Sequence, residues 1–185
     1  VMNRGGITIR LVNLSQVFIG HVRGGLAHVN IMSSMLFAGM SGSAVADTSA
    51  LGSMLIPAME KNGYSRRFAA AITAASSVIG PIIPPSGIMI IYAYTMEVSV
   101  AALFAAGVIP GLLIGLGLMA VTALLAKKHN FPVAREKASW REKGTATKAA
   151  FLPLLTPLII LGGILFGVFT PTEASAIAVG YALIL

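Results

Sequence analysis

Asp47 is the only formally charged residue between Arg23 and Glu60. It closes the run Ala38-Gly39-Met40-Ser41-Gly42-Ser43-Ala44-Val45-Ala46-Asp47, a small, polar, glycine-bearing patch between two apolar arms. Hydroxyls, backbone carbonyls and one carboxylate are hard oxygen donors that suit an alkali cation. The set lacks the several carboxylates calcium usually takes and the nitrogen or sulfur donors of zinc. A second polar interruption follows, Ser76-Ser77-Val78-Ile79-Gly80-Pro81-Ile82-Ile83-Pro84-Pro85-Ser86-Gly87. Proline has no N–H and clashes with the carbonyl four residues back, so these prolines are expected to free the carbonyls of Ser77, Gly80 and Pro81. A helix restarting after such a break presents unpaired N–H groups and its positive dipole end to an anion. The candidate cation-site residues are Ser41, Gly42, Ser43, Asp47, Ser77, Gly80 and Pro81. Ser43, Ala44, Ser86 and Gly87 are the candidate anion-site residues, at the two restarts. Neighbouring cation and anion sites are the arrangement of cation-coupled uptake of an anionic substrate. The competing reading makes Asp47 a helix cap for the second arm.

The elements that must position these residues belong in a membrane. The chain has 185 residues, 56% hydrophobic and only 10% charged, with a mean hydropathy of +0.87. A soluble domain carries roughly 25% charged residues, and so much apolar surface cannot be hidden in one small core. A carboxylate held at membrane depth costs at least ~3 kcal/mol and points to function. The net charge of +7 raises nucleic acid as a partner, but the bases fall in short clusters between apolar runs with few aromatics among them. That pattern follows from the positive-inside rule, so no nucleic-acid role is expected. There is no cysteine, hence no disulfide framework.

The resulting fold class is all-α: a polytopic membrane protein with a re-entrant helical hairpin and a proline-broken transmembrane helix. Residues 1–23 read as an amphipathic interfacial helix with Arg4, Arg10 and Arg23 toward headgroups, or equally as a linker helix packed on protein. Residues 24–61 form the hairpin. Each of its arms is too short for the ~30 Å hydrocarbon core, and both of its ends are basic, so it enters and leaves from the cytoplasm. Residues 62–100 are a discontinuous transmembrane helix, 101–126 a transmembrane helix returning to Lys127 and Lys128, and 127–148 a basic cytoplasmic loop. Residues 149–169 span again, and 170–185 start a second, truncated repeat. Every basic cluster then lies on one side. Gly107, Gly111 and Gly115, four apart, are expected to serve helix packing. Residues 1–23 show no signal-peptide pattern, and the chain stops within an apolar run, as a fragment would.

Other groups offer less. His21 and His28 lack neighbouring acids, Glu60 and Lys61 read as a solvated end pair, and Glu136, Lys137, Arg141 and Glu142 as a solvated face. An intramembrane enzyme using Asp47 would need a second carboxylate, a serine–histidine pair or a zinc motif, none of which accompanies it.

The segments Gly24-Gly25-Leu26-Ala27-His28-Val29-Asn30, Phe37 to Leu51, Ala74 to Ser86 and Phe169-Thr170-Pro171-Thr172-Glu173-Ala174 together resemble the large membrane subunit of TRAP (tripartite ATP-independent periplasmic) transporters. The resemblance covers essentially the whole chain, although members of that family run to more than twice its length. It implies sodium-driven import of organic acids, of the C4-dicarboxylate or sialic-acid type, by an elevator mechanism in the inner membrane of a bacterial or archaeal cell. It also implies a small four-helix membrane subunit and a periplasmic solute-binding protein as partners, sodium as coupling ion, no organic cofactor and no enzymatic activity. Within the family's two inverted repeats, the breaks at Ser41 to Asp47 and Gly80 to Ser86 would be the first pair and hold one sodium site. A divalent-anion/sodium symporter of similar architecture, working without a binding protein, is the alternative.

Overall fold

The computed structural model describes residues 6–184, and the side-chain surroundings of 6–181; Arg4 lies outside them. The described residues form eight helices and no strand: α1 (Ile7–Ile19), α2 (Gly25–Ser41), α3 (Ala44–Lys61), α4 (Arg66–Ser77), α5 (Gly87–Thr95), α6 (Val100–Lys128), α7 (Trp140–Leu165) and α8 (Pro171–Ile184). The all-α expectation holds.

Local chemistry sets most boundaries. Ser65, Ser99 and Ser139 each accept a hydrogen bond from the N–H three residues on, capping α4, α6 and α7. At α7 the cap is reciprocal, because the Glu142 carboxylate accepts the Ser139 N–H at 2.8 Å. Thr170 and Glu173 make the same exchange before α8. This start places Trp140–Lys148, within the stretch expected as a basic loop, in the first turns of α7. Gly42 and Gly63, at φ 56° and 85°, turn the chain out of α2 and α3 in the left-handed conformation that side chains resist.

The helices α2 and α3 run as a hairpin of 17 and 18 residues. At 1.5 Å per residue each arm is about 25–27 Å long, short of a ~30 Å hydrocarbon core. By length and composition α6 and α7 do suffice to cross a membrane. Three apolar clusters hold the assembly. Leu11 and Leu14 of α1 meet Val29, Phe37, Leu51 and Leu55 of the hairpin and Ala150 of α7. Leu26, Ile31 and Met59 meet Ile72 and Ile79 around α4. Phe104 of α6 joins Ile164 and Ala174. The helix α1 is therefore packed on protein along one face, while Ile9, Asn13 and Phe18 stay exposed on the other.

Outward faces are apolar. Ile88, Ile91, Ile109, Leu113, Leu116, Leu124, Phe151 and Leu158 are all exposed on α5, α6 and α7. So many exposed large apolar side chains on three helices are atypical of a protein solvated by water alone.

Candidate functional site

The hairpin tip is a two-residue connection. Gly42 ends α2, donating its N–H to the Ala38 carbonyl at 3.0 Å, and Ser43 starts α3, its hydroxyl accepting from the Ala46 N–H at 3.4 Å. Ser41 Oγ accepts from the Ser43 N–H, also at 3.4 Å. In the broken helix, α4 stops at Ser77 and the chain winds through one tight turn, with Gly80 N–H on the Ser77 carbonyl at 3.0 Å and Ile83 N–H on Ile79 at 2.9 Å. Pro84 and Pro85, joined by a cis peptide, then lead to Ser86, which heads α5.

These two interruptions touch. A β-carbon added to Gly42 would lie 2.6 Å from the Pro85 carbonyl oxygen and 3.1 Å from Ser86 Cα. One added to Gly80 would lie 3.1 Å from the Ser43 carbonyl carbon and 3.3 Å from the Ala44 nitrogen. The tip thus sits on the break, backbone against backbone, and the start of α3 faces the start of α5. Gly107 lies against the Ile82 carbonyl, Gly111 against the Ile83 side chain and Gly115 against Met35, so the glycine stripe of α6 is the bed on which the break and α2 rest.

Asp47 lies one turn into α3, its own N–H bonded to the Ser43 carbonyl at 3.0 Å. The cap is Ser43, so Asp47 does not cap this helix. Its side chain is completely buried, and neither carboxylate oxygen has a hydrogen-bond partner among the described residues. Ser34 of α2 and Ser77 of α4 are its polar neighbours. Their hydroxyls donate elsewhere, Ser34 to Ser76 Oγ at 3.0 Å and Ser77 to the Thr73 carbonyl at 2.6 Å. Behind them a buried ladder continues between α2 and α4: Asn30 Nδ2 donates to Thr73 Oγ1 at 2.7 Å, and Ser76 Oγ to Asn30 Oδ1 at 3.4 Å. A carboxylate buried without a partner is costly to the fold, which marks Asp47 as the candidate ligand of a cation. The remaining donors fit a small alkali ion. The Gly80 and Pro81 carbonyls accept no hydrogen bond, and Ser86 Oγ is buried and unpartnered, among the described residues. No group of three His, Cys, Asp or Glu that could hold a transition metal occurs among them.

A family model described as "Tripartite ATP-independent periplasmic transporter, DctM component" matches residues 1–185. The chain belongs to that family. Among curated relatives it is 49% identical, over its full length, to the sialic acid TRAP transporter large permease protein SiaM of Vibrio cholerae, of which it covers 43%. It is 44% identical over 98% of its length to the C4-dicarboxylate TRAP transporter large permease protein DctM of Pseudomonas aeruginosa, covering 42% of it. The 2,3-diketo-L-gulonate TRAP transporter large permease protein YiaN of Escherichia coli is 40% identical over 99% of the chain, which covers 43% of it. The chain spans less than half the length of these relatives.

In this TRAP permease chain the residues expected at the site, Gly87 apart, are brought together. Ser41, Gly42, Ser43 and Ala44 form the tip, Gly80, Pro81 and Ser86 the facing break, and Asp47 and Ser77 lie side by side beneath them. The carbonyl of Ser77 is not freed, because the turn after α4 lets the Gly80 N–H reach it. Gly87 is exposed, with open space where a β-carbon would point. Sequence reasoning passed over Asn30, Ser34, Thr73 and Ser76. Their signal was available: Asn30 and Ser34 are i, i+4 on α2, and Thr73 and Ser76 are i, i+3 on α4, so each pair shares a helix face. His28 is buried, and Glu60 pairs with Arg66 at 3.9 Å rather than with Lys61.

Proposed function

We propose that this chain supplies the first hairpin and first broken helix of a sodium-coupled importer of organic acids. The observation that carries the proposal is the seating of the tip on the break. It brings together on α3 and the break a buried, unpartnered carboxylate neighbouring Ser77, two unpaired backbone carbonyls at Gly80 and Pro81, and the N-termini of two helices. Sodium is the ion: Asp47, the Ser77 hydroxyl, the Gly80 and Pro81 carbonyls and the tip at Ser41–Ser43 supply hard oxygens. The starts of α3 at Ser43-Ala44 and of α5 at Ser86 present N–H groups to a carboxylate of the substrate. The molecules named for the relatives, sialic acid, C4-dicarboxylates and 2,3-diketo-L-gulonate, are all organic acids. The protein works as a permease rather than an enzyme, in the bacterial inner membrane. Its partners there are a small four-helix membrane subunit and a periplasmic binding protein that delivers the solute. An elevator movement of the hairpin-bearing part carries ion and acid together.

The test is uptake of a C4-dicarboxylate or sialic acid into proteoliposomes containing the whole permease and its small subunit, with the binding protein outside. An inward sodium gradient drives accumulation, and replacing sodium by choline abolishes it. Equal uptake in choline would overturn the sodium assignment. Uptake that needs no binding protein would instead identify a symporter of the divalent-anion type.

A second measurement addresses the membrane path. With Arg23 before the hairpin and Lys61 after it, both ends face the cytoplasm. Single cysteines replacing Arg23 and Lys61 are labelled by an impermeant maleimide only in inside-out vesicles. Labelling of one from each face would mean that the hairpin crosses, and the site would lose its depth.

A further inference from the structure

We propose that the groove between α1 and the first turns of α7 binds the phosphate of an anionic phospholipid headgroup. The groove has a volume of about 500 Å³. Arg10, Asn13 and Gln16, spaced along one face of α1, line it together with Arg141, Glu142 and Thr145 of α7, and Arg135 lines it as well. Packed helices ordinarily meet through apolar side chains, as α1 and α7 do nearby at Leu11, Leu14 and Ala150. Here they part over a polar cleft holding three guanidinium groups against one carboxylate. Glu142 is engaged by Arg135 at 3.3 Å. Arg10 and Arg141 have no side-chain hydrogen bond or ion pair among the described residues, although Arg10 is half-buried. Guanidinium groups with free donors match the oxygens of a phosphate.

The position of the groove selects a lipid over a soluble phosphate ester. It lies where α7 changes from Trp-Arg-Glu-Lys to the apolar run that begins at Ala149, which is headgroup depth for a helix entering a membrane. Aromatic rings mark the same level. Trp140 and Phe18 are 87% and 42% exposed, and Lys143 Nζ stands 4.8 and 5.8 Å from their centroids. Exposed rings of this kind settle at the membrane–water interface. The helix α1 leads directly into the hairpin through Gly20 and Gly24, so a lipid held here would tether the entrance to the transport site to the bilayer surface.

The test is retention of lipid by the whole permease purified with its small subunit from vesicles of phosphatidylcholine doped with phosphatidylglycerol, read by native mass spectrometry. Wild type keeps phosphatidylglycerol in preference to phosphatidylcholine. The double substitution Arg10→Gln/Arg141→Gln lowers its retention about tenfold or more, and Arg10→Lys/Arg141→Lys restores much of it. Asn13→Trp, at an exposed position, fills the groove while keeping every charge, and also expels the lipid. Glycerol 3-phosphate and inorganic phosphate do not displace it at millimolar concentration. Retention unchanged in both the Gln and Trp variants would overturn the proposal. Displacement by the soluble phosphates would overturn the lipid assignment and make the groove a site for a small phosphate ester.

Discussion

Gly42→Val reduces sodium-coupled uptake by the whole permease about a hundredfold, while the protein still inserts and pairs with its small subunit. Two costs combine at this residue. Its φ of 56° lies in the left-handed region, where a β-branched side chain is an outlier. Its β-carbon would also sit 2.6 Å from the Pro85 carbonyl oxygen, a backbone atom that cannot swing aside. Strain of this kind costs ~1–3 kcal/mol before the clash is added, and roughly 2.8 kcal/mol is a hundredfold in an equilibrium. The tip relieves it by lifting off the break, which separates Ser43 from Gly80 and pulls the start of α3 away from the start of α5. Gly63→Val is the control. Gly63 has a φ of 85° and also ends a hairpin helix, but a β-carbon there meets nothing within 4 Å. It pays the backbone strain without the collision, far from the site, and uptake stays within about threefold of wild type. Near-normal uptake by Gly42→Val, at matched expression, would mean that the tip does not need to touch the break during transport.

Much of this arrangement was legible because backbone chemistry leaves marks in sequence. Gly42-Ser43 pointed to an interruption because it sits with Gly39 and Ser41 in one polar patch, whereas the same pair at Gly52-Ser53 runs on inside α3. Pro81, Pro84 and Pro85, three within five residues, interrupt the next, whereas the lone Pro57 and Pro110 stay within α3 and α6. What the sequence could not give was which neighbour satisfies which group. Asp47 is a reasonable cap by residue type, yet Ser43 is nearer the helix start and takes that role. The Ser77 carbonyl should be freed if the helix simply stops, but a tight turn brings the Gly80 N–H back to it. The ladder Asn30–Thr73–Ser76–Ser34 depends on α2 and α4 lying side by side, a relation between residues more than 40 apart in the chain. Glu142 shows the converse. Ser139-Trp140-Arg141-Glu142 carries a capping-box signature, but among so many charges it reads as a solvated face until α7 is seen to start there.

Asp47→Asn raises the sodium concentration for half-maximal uptake roughly tenfold or more, because a charge-assisted contact worth ~1.5–3 kcal/mol is lost while the side-chain volume is kept. Its effect on stability runs the other way. In wild type a completely buried carboxylate with no hydrogen-bond partner among the described residues is a burden on the folded state unless a cation offsets it. The neutral amide removes that burden, so the variant is at least as stable as wild type in sodium-free buffer. A ligand that binds only the folded state stabilises it in proportion to the logarithm of its concentration over Kd. Wild type therefore gains thermal stability as sodium is titrated in, and Asp47→Asn gains little over the same range. The two readouts separate an ion ligand from a packing residue. If Asp47 only filled space between Ser34 and Ser77, the substitution would move stability by the same amount at every sodium concentration and leave the uptake curve in place. That result would take Asp47 out of the cation site and leave the Gly80 and Pro81 carbonyls to hold the ion with the tip.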